Sequence, residues 1–211
     1  MALCAIMLAS CGKDVITGSG DVVTLERTVS NFTGIDISGM GKVYISYAPE
    51  ISVTLKGYSN LIQHYSTEVD DNVLYLQYEN GTGVRNDNLE VYITMPYFNK
   101  LRLFGSSAIT ATGNFQDVDD LTISNAGDGS INIEQMNTNS YTIYSSGNSE
   151  IATLGVQAKT VKIDMSGNGT VSLSVSNKLE VNISGNGKVS YQGAPAELTS
   201  DISGNGTLIK L

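Results

Sequence analysis

The chain has 211 residues, with 12 basic and 21 acidic side chains and a formal net charge of −9. No run of five basic residues occurs, so the clustered Lys and Arg that phosphate binding needs are missing and nucleic acid is not an expected partner. Both cysteines, Cys4 and Cys11, fall in the first eleven residues, and the one histidine is His64. The body of the chain therefore has no disulfide framework, thiolate zinc site, cysteine nucleophile or His-rich metal site, and no cofactor is expected.

The N-terminal stretch MALCAIMLASC is apolar, uncharged and too short to cross a bilayer of ~30 Å as a helix. Its end, Leu8-Ala9-Ser10-Cys11, resembles a bacterial lipoprotein signal: a Leu, two small residues, then the Cys that receives the lipid. No Lys or Arg precedes the apolar stretch, which departs from the usual signal. The resemblance implies a signal over residues 1–10, lipid attachment at Cys11 and a tether over 11–25. The membrane then becomes a partner, and the chain is exported to the outer membrane, facing the periplasm or the surface. Gly12 where an Asp would retain the protein in the inner membrane points the same way.

Residues 26–211 read as one domain, with a less regular part over 44–100 and regular repeats over 101–211. In the first part KVYISYA, SVTLKGY, NVLYLQY and LEVYITM read as strands, with a turn at Asp71-Asn72. SNLIQHYST reads as a turn or two of helix capped by Ser59, with His64 at a surface or half-buried position. ENGTGVRNDN, from Glu79, reads as a long exposed loop. Further on, Asp117, Asp119 and Asp120 form the densest acidic group, a solvated turn or an oxygen-ligand set for Ca²⁺. The solvated turn is preferred, and no metal residue is assigned.

The second part repeats. MSGNGTV, ISGNGKV and ISGNGTL start at Met165, Ile183 and Ile202, and more degenerate copies precede them. The first apolar residue after each turn is Ile109, Ile131, Ile151, Val171, Val189 and Leu208, at steps of 22, 20, 20, 18 and 19. A period near twenty indicates a solenoid. Apolar and polar residues alternate on both sides of each turn, as Val161, Ile163 and Met165 do with Lys162 and Asp164, so the repeat is built of strands with one buried face. Twenty residues at about 3.3 Å each give a perimeter of roughly 65 Å, enough for two or three short strands per coil. The expected fold is all-β, a parallel β-helix-like solenoid with coils of about 18–22 residues. Gly167-Asn168-Gly169, Gly185-Asn186-Gly187 and Gly204-Asn205-Gly206 are then corners, where Gly and Asn tolerate positive φ. Ser166, Ser184 and Ser203 should form one column and the three Asn another, with the amides bonded as a ladder.

Three stretches carry a wider resemblance: NKLEVNISGNGKVSYQGAPAELTSDISGNGTLIKL from Asn177, LEVYITMPYFNKLRLFGSSAIT from Leu89, and FTGIDISGMGKVYISYAPEISVTLKGYSNLIQHYSTEV from Phe32. Their order resembles the head-GIN domain, or putative auto-transporter adhesin, family, common in Bacteroidota. The resemblance implies a right-handed β-helix-like fold in an exported protein and no established catalytic residues. The expected function is a lipid-anchored, non-enzymatic envelope protein presenting a rigid surface to a glycan or protein ligand. The alternatives are a polysaccharide lyase-like β-helix enzyme and a periplasmic envelope-assembly or signalling protein. Lys210 falls where the repeat expects an inward residue, so it either guards the last coil or leaves that end to another molecule, which makes a homo-oligomer a possible partner.

Overall fold

A computed structural model describes residues 14–211; Cys11 and the expected signal over residues 1–10 lie outside the described residues. In chain order the strands begin with β1 (Asp14–Thr17), β2 (Val22–Arg27), β3 (Gly34–Gly39), β4 (Lys42–Tyr47) and β5 (Ser52–Tyr58). A single helical turn, α1 (Ser59–Ile62), precedes β6 (Tyr65–Asp70), β7 (Val73–Tyr78), β8 (Thr82–Arg85) and β9 (Glu90–Met95). Then come β10 (Lys100–Gly105), β11 (Ala108–Thr112), β12 (Val118–Gly127), β13 (Ser130–Ile133) and β14 (Met136–Gly147). The chain closes with β15 (Glu150–Gly167), β16 (Thr170–Gly185), β17 (Lys188–Gln192), β18 (Glu197–Gly204) and β19 (Thr207–Lys210).

The chain is a parallel β-solenoid, and its repeat register is the one the sequence spacing gives. Ile109 pairs with Ile131, Ile131 with Ile151, Ile151 with Val171, Val171 with Val189, and Val189 with Leu208. Their shared parity keeps one face of every coil apolar, because a one-residue slip would turn each of these side chains into water. The core is a set of such columns, of which Leu101, Ile123, Ile143, Ile163 and Val181 form one, all buried. The step falls from 20 to 18 residues between Thr153 and Thr160 of β15. Thr153 opposes Leu173 while Gln157 opposes Ser174, so three residues of β15 have no counterpart there; β16 regains one between Val175 and Lys178.

Stacking order differs from chain order in the N-terminal half. β3 and β4 lie between β7 and β9 on one side and β10 and β11 on the other, all parallel. Residues 73–95 are thus themselves a coil, not an interruption of the repeat. The outer end is closed by antiparallel strands, β2 on β5 and β6 on β7. Arg27 reaches across that end, donating from its guanidinium to the carbonyls of Ile62 and Tyr65. Antiparallel strands halt parallel growth, because they offer a hydrogen-bonding pattern of a different spacing.

Three local expectations are corrected. Residues 14–17 and 22–27 are strands, so the tether does not extend to residue 25. β1 pairs in parallel with β8, so the loop from Glu79 is partly held rather than wholly exposed. Ser59 does not cap α1: Tyr58 holds that position and no side chain makes a cap bond. The segment from Tyr65 is strand, because it pairs antiparallel with β7 at the solenoid end. Asp71-Asn72 is a turn as read, with φ of 45° and 60°, the two consecutive positive values of a tight hairpin.

Candidate functional site

The Gly-Asn-Gly corners are architecture. The first glycine of each has positive φ, 123° at Gly185. A Cβ there would also lie 2.6 Å from the carbonyl oxygen of Gly167 in the coil above. The second glycine is required for lack of room: a Cβ on Gly169 would lie 2.7 Å from the Ser149 carbonyl oxygen. The asparagines do not use positive φ, which corrects that part of the expectation. They form the ladder. Asn205 donates to Asn186 (3.2 Å), Asn186 to Asn168 (2.8 Å), Asn168 to Asn148 (3.2 Å), and Asn148 to the Asp128 carboxylate (2.7 Å). Every amide gives its N–H to the coil above, and a carboxylate, which only accepts, starts the run.

The same device absorbs two of the three clustered acids. Asp117 accepts from Asn137 at 2.9 Å and Asp119 from Asn139 at 2.8 Å, each one coil on. Asp120 is paired with Ser140 through the backbone register. Among the described residues no three of His, Cys, Asp and Glu come together as a metal site. His64 sits just beyond α1, half-buried, with Nδ1 3.1 Å from a carboxylate oxygen of Glu79.

One flank of the solenoid carries a trough of about 490 Å³. Its floor is five successive strands of the face that contains β12, β14, β15, β16 and β18. Two outward columns line it. Ser124, Tyr144, Asp164, Asn182 and Asp201 stack in register, and Ala126, Ser146, Ser166, Ser184 and Ser203 stack beside them. The second column is the serine column foreseen from the repeat, and its small side chains are what leave the space. Phe104 continues that column one strand above Ala126. Asp164 accepts a hydrogen bond from Asn182 at 2.7 Å and lies 3.7 Å from Lys162, which also reaches Glu180 at 3.6 Å. Arg102, beyond the upper end, is held by Asp36 at 3.1 Å.

Sequence reasoning did not single out this trough, its Tyr144 or the adjoining Phe104. The signal was parity: with Leu101 and Leu103 inward, Phe104 must point out, and Ile143 inward makes Tyr144 outward. Tyr75 and Tyr78, on β7, are both half-buried, and Tyr78 donates to Asp87 at 2.9 Å.

Stacked coils and amide ladders define a β-solenoid with an open trough along one flank. A family model described as "Putative auto-transporter adhesin, head GIN domain" matches residues 31–195, and the chain belongs to that family. Solved structures share the fold. One titled a putative adhesin, from Bacteroides fragilis, has a TM-score of 0.77 at 20% identity, over 93% of this chain and 100% of that one. A protein titled a putative lipid binding protein, from Parabacteroides distasonis, has a TM-score of 0.59 at 18% identity, over 94% and 100%. A structure titled a putative adhesin, from Parabacteroides merdae, has a TM-score of 0.57 at 19% identity, over 94% and 99%. Comparison with curated protein sequences gives no match.

Proposed function

We propose that this protein is a lipid-anchored, non-enzymatic component of the bacterial envelope that acts as an adhesin, binding through the flank of its solenoid. The observation that carries the reading is the trough, a continuous lined surface over five strands of a frame fixed by backbone pairing and amide ladders. A rigid surface loses little conformational entropy on binding. Family membership supports the adhesive role, and the Leu8-Ala9-Ser10-Cys11 pattern supports the anchor. Cys11→Ala tests the anchor: the variant should move from the membrane fraction to the soluble fraction, and unchanged partitioning would overturn it. Protease treatment of intact cells tests the location. Digestion is the expected result for an adhesin, and protection until the outer membrane is permeabilised would remove the adhesive role.

A further inference from the structure

The lining of the trough narrows what it can hold, on the premise that the flank is the binding surface proposed above. Of the four phenylalanines in the chain, Phe32, Phe98 and Phe115 are buried, whereas Phe104 is 67% exposed. Tyr144, on the same face, is 47% exposed. Leaving rings of this size in water forgoes the favourable burial open to them elsewhere, and neither packs on another aromatic ring among the described residues. The two stand two strands apart, about 10 Å along the axis at ~4.8 Å per strand, with only Ser124 and Ala126 on the strand between them.

Apart from the rings, Ala126 and the largely buried Met165 and Ile183, the lining is hydroxyl, amide and carboxylate. Ser146, Ser166, Ser184 and Ser203 present hydroxyls that make no protein hydrogen bond among the described residues. Asn182 spends its amide N–H on Asp164, and its carbonyl oxygen is left to accept. Asp201 adds a second carboxylate, and no Lys or Arg lines the trough. Asp164 shares its one cation, Lys162, with Glu180, and Asp201 has no ion pair among the described residues, so the excess of carboxylates repels a polyanion. Backbone N–H and C=O groups of the floor are paired with neighbouring strands, so a peptide cannot add here as a further strand. Exposed rings beside closely spaced hydroxyl-bonding groups suit a ligand with apolar faces and hydroxyl edges. Because the polar groups recur at every strand, the ligand that uses them repeats along the axis.

We propose that the trough binds a neutral, linear glycan laid along the solenoid axis. Phe104 and Tyr144 stack on sugar faces, while Asp164, Asn182, Asp201 and the serine column bond the hydroxyls. Titration calorimetry of the purified full chain in detergent tests this with cellohexaose, xylohexaose and mannohexaose, and with hexagalacturonate as the polyanionic comparator. At least one neutral hexasaccharide should bind, more tightly than its disaccharide and about tenfold or more tighter than hexagalacturonate. Phe104→Ala and Tyr144→Ala should each weaken that binding about tenfold or more. Ser184→Leu, which fills the trough, should remove it, all three with an unchanged melting temperature. Preference for hexagalacturonate, binding indifferent to these three substitutions, or no binding of any neutral hexasaccharide would overturn the assignment. Attachment of cells displaying the protein separates the two proposals. Attachment to protein-coated surfaces without glycan binding removes the glycan and leaves the adhesive role, and failure of both removes both.

Discussion

At the scale of single residues, each position of the Gly-Asn-Gly corner meets a different demand. Gly185 combines φ of 123° with contact against the backbone of the coil above. Gly169 sits where a methyl group has no space, and Asn186 links its neighbours above and below. These demands predict different costs. Gly185→Ala should destabilise by about 1–3 kcal/mol, the range for a residue forced into a sparsely populated backbone region. Asn186→Ala loses two exposed amide bonds and should cost about 1 kcal/mol. Urea unfolding of both variants checks the order; equal losses would mean that the corner is held by its ladder rather than by its backbone. The Gly-Asn-Gly pattern was legible as a corner because only these residue types meet such demands. The division of labour was not, since positive φ and lack of space leave the same letter in a sequence.

At the scale of elements, strand parity carried the information. Ile163 was read as inward from alternation with Lys162 and Asp164, and it is fully buried between Ile143 and Val181. Ile163→Ala should cost about 2–5 kcal/mol, because rigid coils above and below limit collapse of the cavity. A smaller loss in thermal or urea unfolding would show that the coils can close up. Of the trough residues, which obey the same parity, only the serine column was foreseen from the repeat; the others carry no signal until the neighbouring strands are known. The segments that were misread, β1, β2 and β6, are short and lack a repeat. β6 lies in SNLIQHYSTEVD, whose start does form a helical turn.

At the scale of the whole molecule, burial of tyrosines links the fold to alkaline pH. Tyr141 is fully buried, donating to Thr153 at 3.1 Å, and desolvation raises its phenol well above the ordinary 10.0. Tyr65, at the capped end, is raised by burial and then by the charge of Asp87. The unfolded chain releases these protons near pH 10, while the folded chain retains them. The contribution is complete below that pH and is lost as pH rises above it. Stability should therefore fall steeply above about pH 10, with tyrosinate absorbance of these groups appearing together with unfolding; gradual ionisation of every tyrosine without loss of structure would refute this.

The coil of β18 and β19 shows a second whole-molecule feature. Leu198 is 43% and Ile202 37% exposed, although Leu179 and Ile183 one coil above are buried. Lys210 stands in the inward column beneath Tyr191. A charge in that position opposes pairing with another strand. Lys210→Val should raise self-association, read by light scattering against concentration, and a strictly monomeric variant would show that the charge is not the guard.

The sequence by itself determined the period, the inward columns, the corners and the stacking of the amides in a ladder. All of these follow from local alternation and from residue types that only one backbone geometry accepts. Tertiary structure alone decided that residues 34–47 are inserted between coils formed by residues 73–95 and 100–112. It alone decided that the antiparallel strands β2, β5 and β6 close the outer end, and that small outward residues from five strands leave a trough beside Phe104 and Tyr144. The physical reason is that these features depend on which strands meet, and residues far apart in the chain carry no mark of their neighbours until hydrogen bonding across the sheet joins them.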